Sequence, residues 1–494
     1  MEEVPLLKLD RASGVLLHPT SLPSPYGIGE IGTEAREFID FLKKGGFKLW
    51  QILPLNPAGY GESPYQSFSA FAGNPLLISL ESLRKEGLLS KKDLAGAPSF
   101  SEDKVDFSAC REYKNSTLRQ AFLKFGAKGL KSSAFQEFKE KNAFWLADYA
   151  LFMALKERFQ NLPWNCWDKL IAMRDAQTLK FWEGKLIEEI HYHLFLQYLF
   201  FSQWGELRKY AAKKGIKIIG DLPLYVSYDS SDAWVHSQYF ALDEMGNPLK
   251  VGGVPPDYFS PTGQLWGNPL YKWEEMEKDN YLWWRQRIKV LLELVDVIRF
   301  DHFRGFEAYW EVPASEKTAV NGRWVKGPGE KFFSTIAEYL GELPLMAEDL
   351  GFITPEVTAL KNKFDFPGMK VLQFIDREPW PVPLNDEGNW IYYTGTHDND
   401  TLLGWYDEVV LSQLSPDNRE KWLNNICWDL LEVVYQSQAK WAIVPLQDLL
   451  CLDTSARMNV PGTVGDNWQW RFKKDDLTRK LAKKTAKLRK KYAR

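Results

Sequence analysis

Val295-Asp-Val-Ile-Arg299-Phe-Asp301-His-Phe303 is an apolar run that closes on an arginine, an aspartate and a histidine. Val, Ile and Phe at this density suit a strand buried on both faces, as in a parallel sheet. The polar residues fall at its C-terminal end. Seven further stretches repeat the pattern: 14–18 (GVLLH), 48–55 (KLWQILPL), 216–224 (IKIIGDLPL), 344–351 (PLMAEDLG), 369–374 (MKVLQF), 390–398 (WIYYTGTHD) and 441–448 (WAIVPLQD). Helical periodicity lies between most of them, for example at 33–44 and 329–340. Eight such units predict an α/β fold, a closed (β/α)8 TIM barrel whose catalytic groups collect at the C-terminal ends of the strands.

The spacing around this repeat is uneven. About 160 residues separate the second and third strands, rich in Lys, Glu, Leu, Phe and Trp. Residues 83–207 are therefore expected as a mostly helical insertion within one catalytic domain, 1–494, running into the barrel's second helix. About 45 residues follow the eighth strand, too few for an appended β-sandwich of about 100 residues.

Composition narrows the function. With 45% hydrophobic and 26% charged residues the chain has the balance of a soluble globular protein. Its net charge of −3 offers no general attraction to nucleic acid or an anionic membrane. The basic run 473–494 reads as a solvated terminal helix. No stretch reaches the roughly 18 apolar residues of a membrane span, and the N-terminus has no long apolar signal region. Cys110, Cys166, Cys427 and Cys451 have no paired spacing, which fits a reducing cytoplasm. The 6 His are dispersed, so no metal is expected. Absence of GxGxxG, GxxxxGK[ST] and GxSxG motifs argues against dinucleotide, P-loop and serine-hydrolase chemistry.

Carboxylates stand at three predicted strand ends: Asp301, Glu348 in Ala-Glu-Asp-Leu-Gly, and Asp398 in Thr-His-Asp-Asn-Asp. Glycoside chemistry needs two carboxyl groups across the scissile bond, one ionised and one protonated. Arg299, two residues before Asp301, shares its face of the strand and would keep it charged. Neighbouring anions would raise the acid's pKa. Asp349 and Asp400 are equally good candidates by residue type, and Asp221, ending the third strand, is a structural or a functional group. Two segments have the composition of binding loops. One runs from Tyr60 through Tyr65 to 75. The other, 250–270, holds Asp257, Tyr258, Phe259 and Trp266 between glycines that suit the hinges of an active-site lid. The 21 Trp are as numerous as the 21 Tyr, and such rings stack on sugar faces.

These motifs closely resemble the amylomaltases, the 4-α-glucanotransferases or disproportionating enzymes of the α-amylase clan. The likeness runs from His18-Pro-Thr-Ser-Leu-Pro to Pro461-Gly-Thr and includes Trp50-Gln-Ile-Leu-Pro, Ser63-Pro-Tyr-Gln-Ser, Arg299-Phe-Asp-His-Phe-Arg-Gly-Phe and Thr396-His-Asp. The resemblance implies Asp301 as nucleophile, Glu348 as acid/base and Asp398 as transition-state stabiliser. Arg299 and His397 become accompanying site residues; Tyr65, Asp257 and Trp266 become glucan contacts. Independently of the resemblance, the composition of the tyrosine-bearing loop suggests that Tyr60 and Tyr65 hold the far end of the glucan. The partners implied are α-1,4-glucans, with no cofactor. Where the clan commonly places an Asn-His pair, this chain has Tyr225-Val226, as amylomaltases do, so Asp221 does not inherit sugar contacts. A hydrolase would differ only in letting water take the second step. A catalytically dead barrel would have no reason to keep all three carboxylates.

Overall fold

The computed structural model describes residues 10–257, 260–375, 384, 388–410 and 426–494. Twelve strands occur there: β1 (Ala12–Leu16), β2 (Leu49–Gln51), β3 (Lys217–Leu222), β4 (Lys250–Val254), β5 (Gln264–Pro269), β6 (Val297–Phe300), β7 (Ala308–Pro313), β8 (Arg323–Lys326), β9 (Leu345–Ala347), β10 (Gly368–Val371), β11 (Trp390–Tyr393) and β12 (Trp441–Pro445). Eight of them pair in parallel in the order β10-β11-β12-β1-β2-β3-β6-β9. The Ala347 N–H donates to the Pro367 carbonyl at 2.9 Å, which joins the last strand to the first. The sheet is thus a TIM barrel built on the eight apolar runs. Their residues are buried almost throughout because barrel filling covers one face and helices the other.

The local chemistry is consistent with the chain's path. The helix Thr33–Gly45 buries Ala35, Phe38, Ile39 and Leu42 and presents its charged residues outward. It stops at Gly46, whose φ of 82° lets its N–H reach the Leu42 and Lys43 carbonyls. Between β2 and β3 the chain is helical, its longest helices being Phe107–Leu130, Leu146–Arg158 and Ile187–Lys214. The last of these feeds β3 through Gly215. Beyond β12 come short helical turns and the helix Arg479–Lys491, which packs on Thr33–Gly45; the described residues hold no sandwich.

A second sheet did not emerge from the sequence. β4, β5, β7 and β8 form an antiparallel sheet in the order β5-β4-β7-β8, inserted after β3 and β6 over the barrel's C-terminal end. It corrects the expectation that 250–270 is a loop on glycine hinges: the segment is a β-hairpin. A Cβ on Gly252 would lie 2.7 Å from the Tyr225 ring, and one on Gly253 would lie 2.5 Å from the Gln264 carbonyl oxygen. These glycines permit close packing rather than bending. Tyr258 and Phe259 lie outside the described residues.

Candidate active site

Because the barrel strands are parallel, the residues just past each strand end meet on one face. Phe300 of β6 is in register with Ala347 of β9, so Asp301 and Glu348 are the next residues on neighbouring strands. The Glu348 N–H donates to the Phe300 carbonyl at 2.9 Å and the Phe303 N–H to the Glu348 carbonyl at 3.1 Å. The two backbones therefore stay about one strand spacing, ~4.8 Å, apart.

Their surroundings differ. Arg299 is buried and its Nη1 donates at 2.8 Å to Asp301 Oδ1 and to both oxygens of Asp221. Burial alone would lower the Arg299 pKa, but these carboxylates raise it well above its ordinary value, so the guanidinium is a permanent cationic partner for Asp301. The Asp301 side chain keeps 26% exposure towards the cleft. Glu348 takes its hydrogen bonds from the main chain: His302 N–H to Oε2 at 2.7 Å and Leu350 N–H to Oε1 at 2.8 Å. Burial raises its pKa from 4.5 to about 7; Arg299 pulls down and Asp301 pushes up. One carboxyl is thus paired with a cation, while its neighbour holds a proton near neutrality.

Asp398 comes from the loop after β11. Asn459 donates to its Oδ1 at 2.6 Å, Arg457 donates to its carbonyl at 2.8 Å, and His397 Nε2 lies 3.3 Å from Oδ2. The buried His397 ring stacks on Tyr65, centroids 5.1 Å apart, and Trp468 closes the same aromatic wall. Burial and the nearby Asp221 raise the Tyr65 pKa, so its hydroxyl stays a donor, reaching Asp221 Oδ2 at 2.8 Å. Asp221, fully enclosed, ties Tyr65 to Arg299 and does not face the cleft. Trp266 on β5 places its ring edge-on to His302, centroids 4.8 Å apart, beside Asp301.

The other expected residues are further out. Tyr60 is 74% exposed at the start of its loop. Asp257 is also exposed, accepting a hydrogen bond from the Ser260 N–H at 2.7 Å in the hairpin tip. The two rival carboxylates are occupied elsewhere. Asp349 is paired with the buried Lys361 at 2.7 Å and takes the Met369 N–H. Asp400 accepts from the Thr401 N–H and the Thr454 hydroxyl. Asn459, Arg457 and Trp468 were not anticipated; they lie in the connection after β12, which carries no strand-end signal. Among the described residues no group of three or more His, Cys, Asp or Glu is placed to hold a metal ion, and no helix is long and apolar enough to cross a membrane.

Residues 17–478 match the model of glycoside hydrolase family 77, described as 4-alpha-glucanotransferase. The chain belongs to this family. It is 48% identical to the 4-alpha-glucanotransferase of Thermus thermophilus, over 96% of this chain and 97% of that protein. To the 4-alpha-glucanotransferase of Synechocystis sp. it is 49% identical, over 94% and 95%. Among solved structures, the amylomaltase from Streptococcus agalactiae in complex with acarbose superposes with a TM-score of 0.92 at 41% identity, covering 98% of this chain and 99% of that one. The amylomaltase from Corynebacterium glutamicum shares the fold at 18% identity, with a TM-score of 0.78 over 97% and 75%. Family membership thus arrives on a barrel whose cleft already holds three carboxylates in three different settings.

Proposed function

We propose that this 4-alpha-glucanotransferase moves an α-1,4-glucan segment by double displacement at Asp301 and Glu348. Asp301 attacks the anomeric carbon of the donor while Glu348 gives its proton to the departing glycosidic oxygen. The donor segment is left as an ester on Asp301, with its anomeric configuration inverted. Glu348, now a carboxylate, takes the proton from the 4-hydroxyl of an acceptor glucan. That oxygen displaces Asp301 and restores the α configuration. Asp398, held by Asn459 and His397, stabilises the oxocarbenium-like charge in both steps.

The observation that carries this assignment is the contrast between neighbouring strand ends: an arginine against Asp301, and burial raising Glu348 to about 7. Trp266, seated against His302, covers the nucleophile from the hairpin side and helps a sugar acceptor compete with water. Tyr65, stacked on His397 beside Asp398, is placed to support the reacting sugar, and the exposed Tyr60 and Asp257 are the groups that would extend the cleft outward. All four cysteines are free thiols, which supports a reducing, cytoplasmic setting.

The test is to trap the intermediate. Glu348→Gln with an α-maltosyl fluoride, whose leaving group needs no proton, should accumulate a maltosyl adduct on the peptide containing Asp301. An adduct on another carboxylate, or activity with the fluoride in Asp301→Asn alone, would overturn the assignment.

A further inference from the structure

Phe352 projects from the loop that carries Glu348, four residues further on, and is 69% exposed. Its backbone is held in place. The Arg304 guanidinium Nη1 donates to the Phe352 carbonyl. The same guanidinium, otherwise buried, lies 3.7 Å over the Trp324 ring and 5.7 Å from the centroid of Phe352. Trp324, on β8, is 37% exposed and runs nearly parallel to Phe352, interplanar angle 22° and centroids 6.5 Å apart. Trp310 braces it edge-on at 5.2 Å. Arginine, tryptophan and phenylalanine therefore make one rigid cluster with two rings on the surface.

Its place in the barrel is informative. Arg304 follows Asp301 by three residues and Phe352 follows Glu348 by four, so the cluster extends outward from the ends of β6 and β9. The Tyr65–His397–Trp468 wall comes from the ends of β2, β11 and β12, across the barrel mouth. A chain lying over the three carboxylates passes one aromatic surface on each side. Glu348 exchanges its proton with the oxygen of the leaving or incoming sugar, so the surface on its own loop faces the acceptor side. Exposed apolar area fixed by its own backbone costs little ordering on binding, and aromatic rings suit the apolar faces of sugars.

We infer that Phe352 and Trp324 form a distal acceptor subsite that stacks the second or later sugars of an incoming α-glucan. This rests on the transferase mechanism proposed above. The occupant is an acceptor chain because both rings stand on the chain segments that leave the ends of β6 and β9, outward of Glu348. A single glucose, held next to Glu348, does not extend to it.

The experiment uses an α-maltosyl fluoride as donor and compares acceptor KM for glucose and maltotetraose in the full-length enzyme. Phe352→Ala should raise the maltotetraose KM about tenfold, the equivalent of a lost stacking contact of about 1.4 kcal/mol. The glucose KM and kcat should stay at wild-type values. Phe352→Tyr, which keeps a ring, should restore the maltotetraose KM; Trp324→Ala should act in the same direction as Phe352→Ala. An unchanged maltotetraose KM, or an equal rise for glucose, overturns the subsite. If the wild-type enzyme transfers to neither acceptor, the transferase mechanism itself falls, and the subsite with it.

Discussion

Replacing Glu348 by Gln isolates the cost of charging that carboxyl. Its folded pKa is raised from 4.5 to about 7, chiefly by burial. A raised carboxylate pKa means the folded state holds the proton more tightly than the unfolded chain does. The stabilisation is therefore complete below about 4.5 and is lost as the pH rises through about 7. At about 1.4 kcal/mol per pKa unit, the fully ionised group destabilises the fold by about 3 kcal/mol relative to its protonated form. Glutamine never ionises and escapes this. At every pH it carries a different cost, about 1–2 kcal/mol, because its NH2 group meets one of the two N–H donors, His302 or Leu350, that now serve the carboxylate. The pH dependence separates the two effects. A chain of 494 residues unfolds with an entropy of about 1 kcal/mol per kelvin, so the gain amounts to about 3 °C in Tm. Calorimetry of wild type and Glu348→Gln should give a variant-minus-wild-type Tm about 3 °C more positive at about pH 8.5 than at about pH 5. A pH-independent difference would mean that burial does not raise this carboxyl, and the protonated acid would lose its physical basis. The same titration should appear in the kinetics: kcat/KM falls as the pH rises through about 7, since the free enzyme must present the proton.

Asp301→Asn should fold and bind glucan yet lose turnover by more than about 10³-fold, because an amide is not a nucleophile; titration calorimetry with acarbose and a rate assay check the two halves. Asp221→Asn should destabilise the protein by about 3 kcal/mol, since the buried Arg299 then keeps only Asp301 as a charged partner, and chemical denaturation measures it. Trp266→Ala should slow transfer and raise the fraction of bonds lost to water; an unchanged ratio would remove the covering role of the hairpin. Activity should survive exhaustive chelation, and a loss that calcium restores would reveal a metal site.

The barrel was legible because each of its strands is a short apolar run with polar residues at one end, the pattern that burial on both faces imposes. The antiparallel sheet was not. Lys250–Val254 carries two glycines, and Arg323–Lys326 is charged at both ends and mostly exposed, so neither shows a buried strand's pattern. Glycines that looked like hinges turned out to be points of close approach, which only the neighbours Tyr225 and Gln264 could disclose. In the cleft, residue type and strand position brought forward Asp301, Glu348 and Asp398 but also Asp349 and Asp400. The choice depended on partners distant in sequence, such as Lys361 for Asp349, 12 residues on, and Asn459 for Asp398, 61 residues on. Likewise the Tyr65–Asp221 hydrogen bond spans 156 residues. No local pattern encodes such pairings.

Following total reducing ends during maltotriose turnover distinguishes transfer from hydrolysis most directly. Water stands at about 55 M, so a sugar prevails as acceptor only where the cleft positions it and keeps competing water out. Chromatography should show glucose and oligosaccharides longer than maltotriose while total reducing ends stay constant. A steady rise in reducing ends, with no product longer than the substrate, would contradict a transferase and leave a hydrolase.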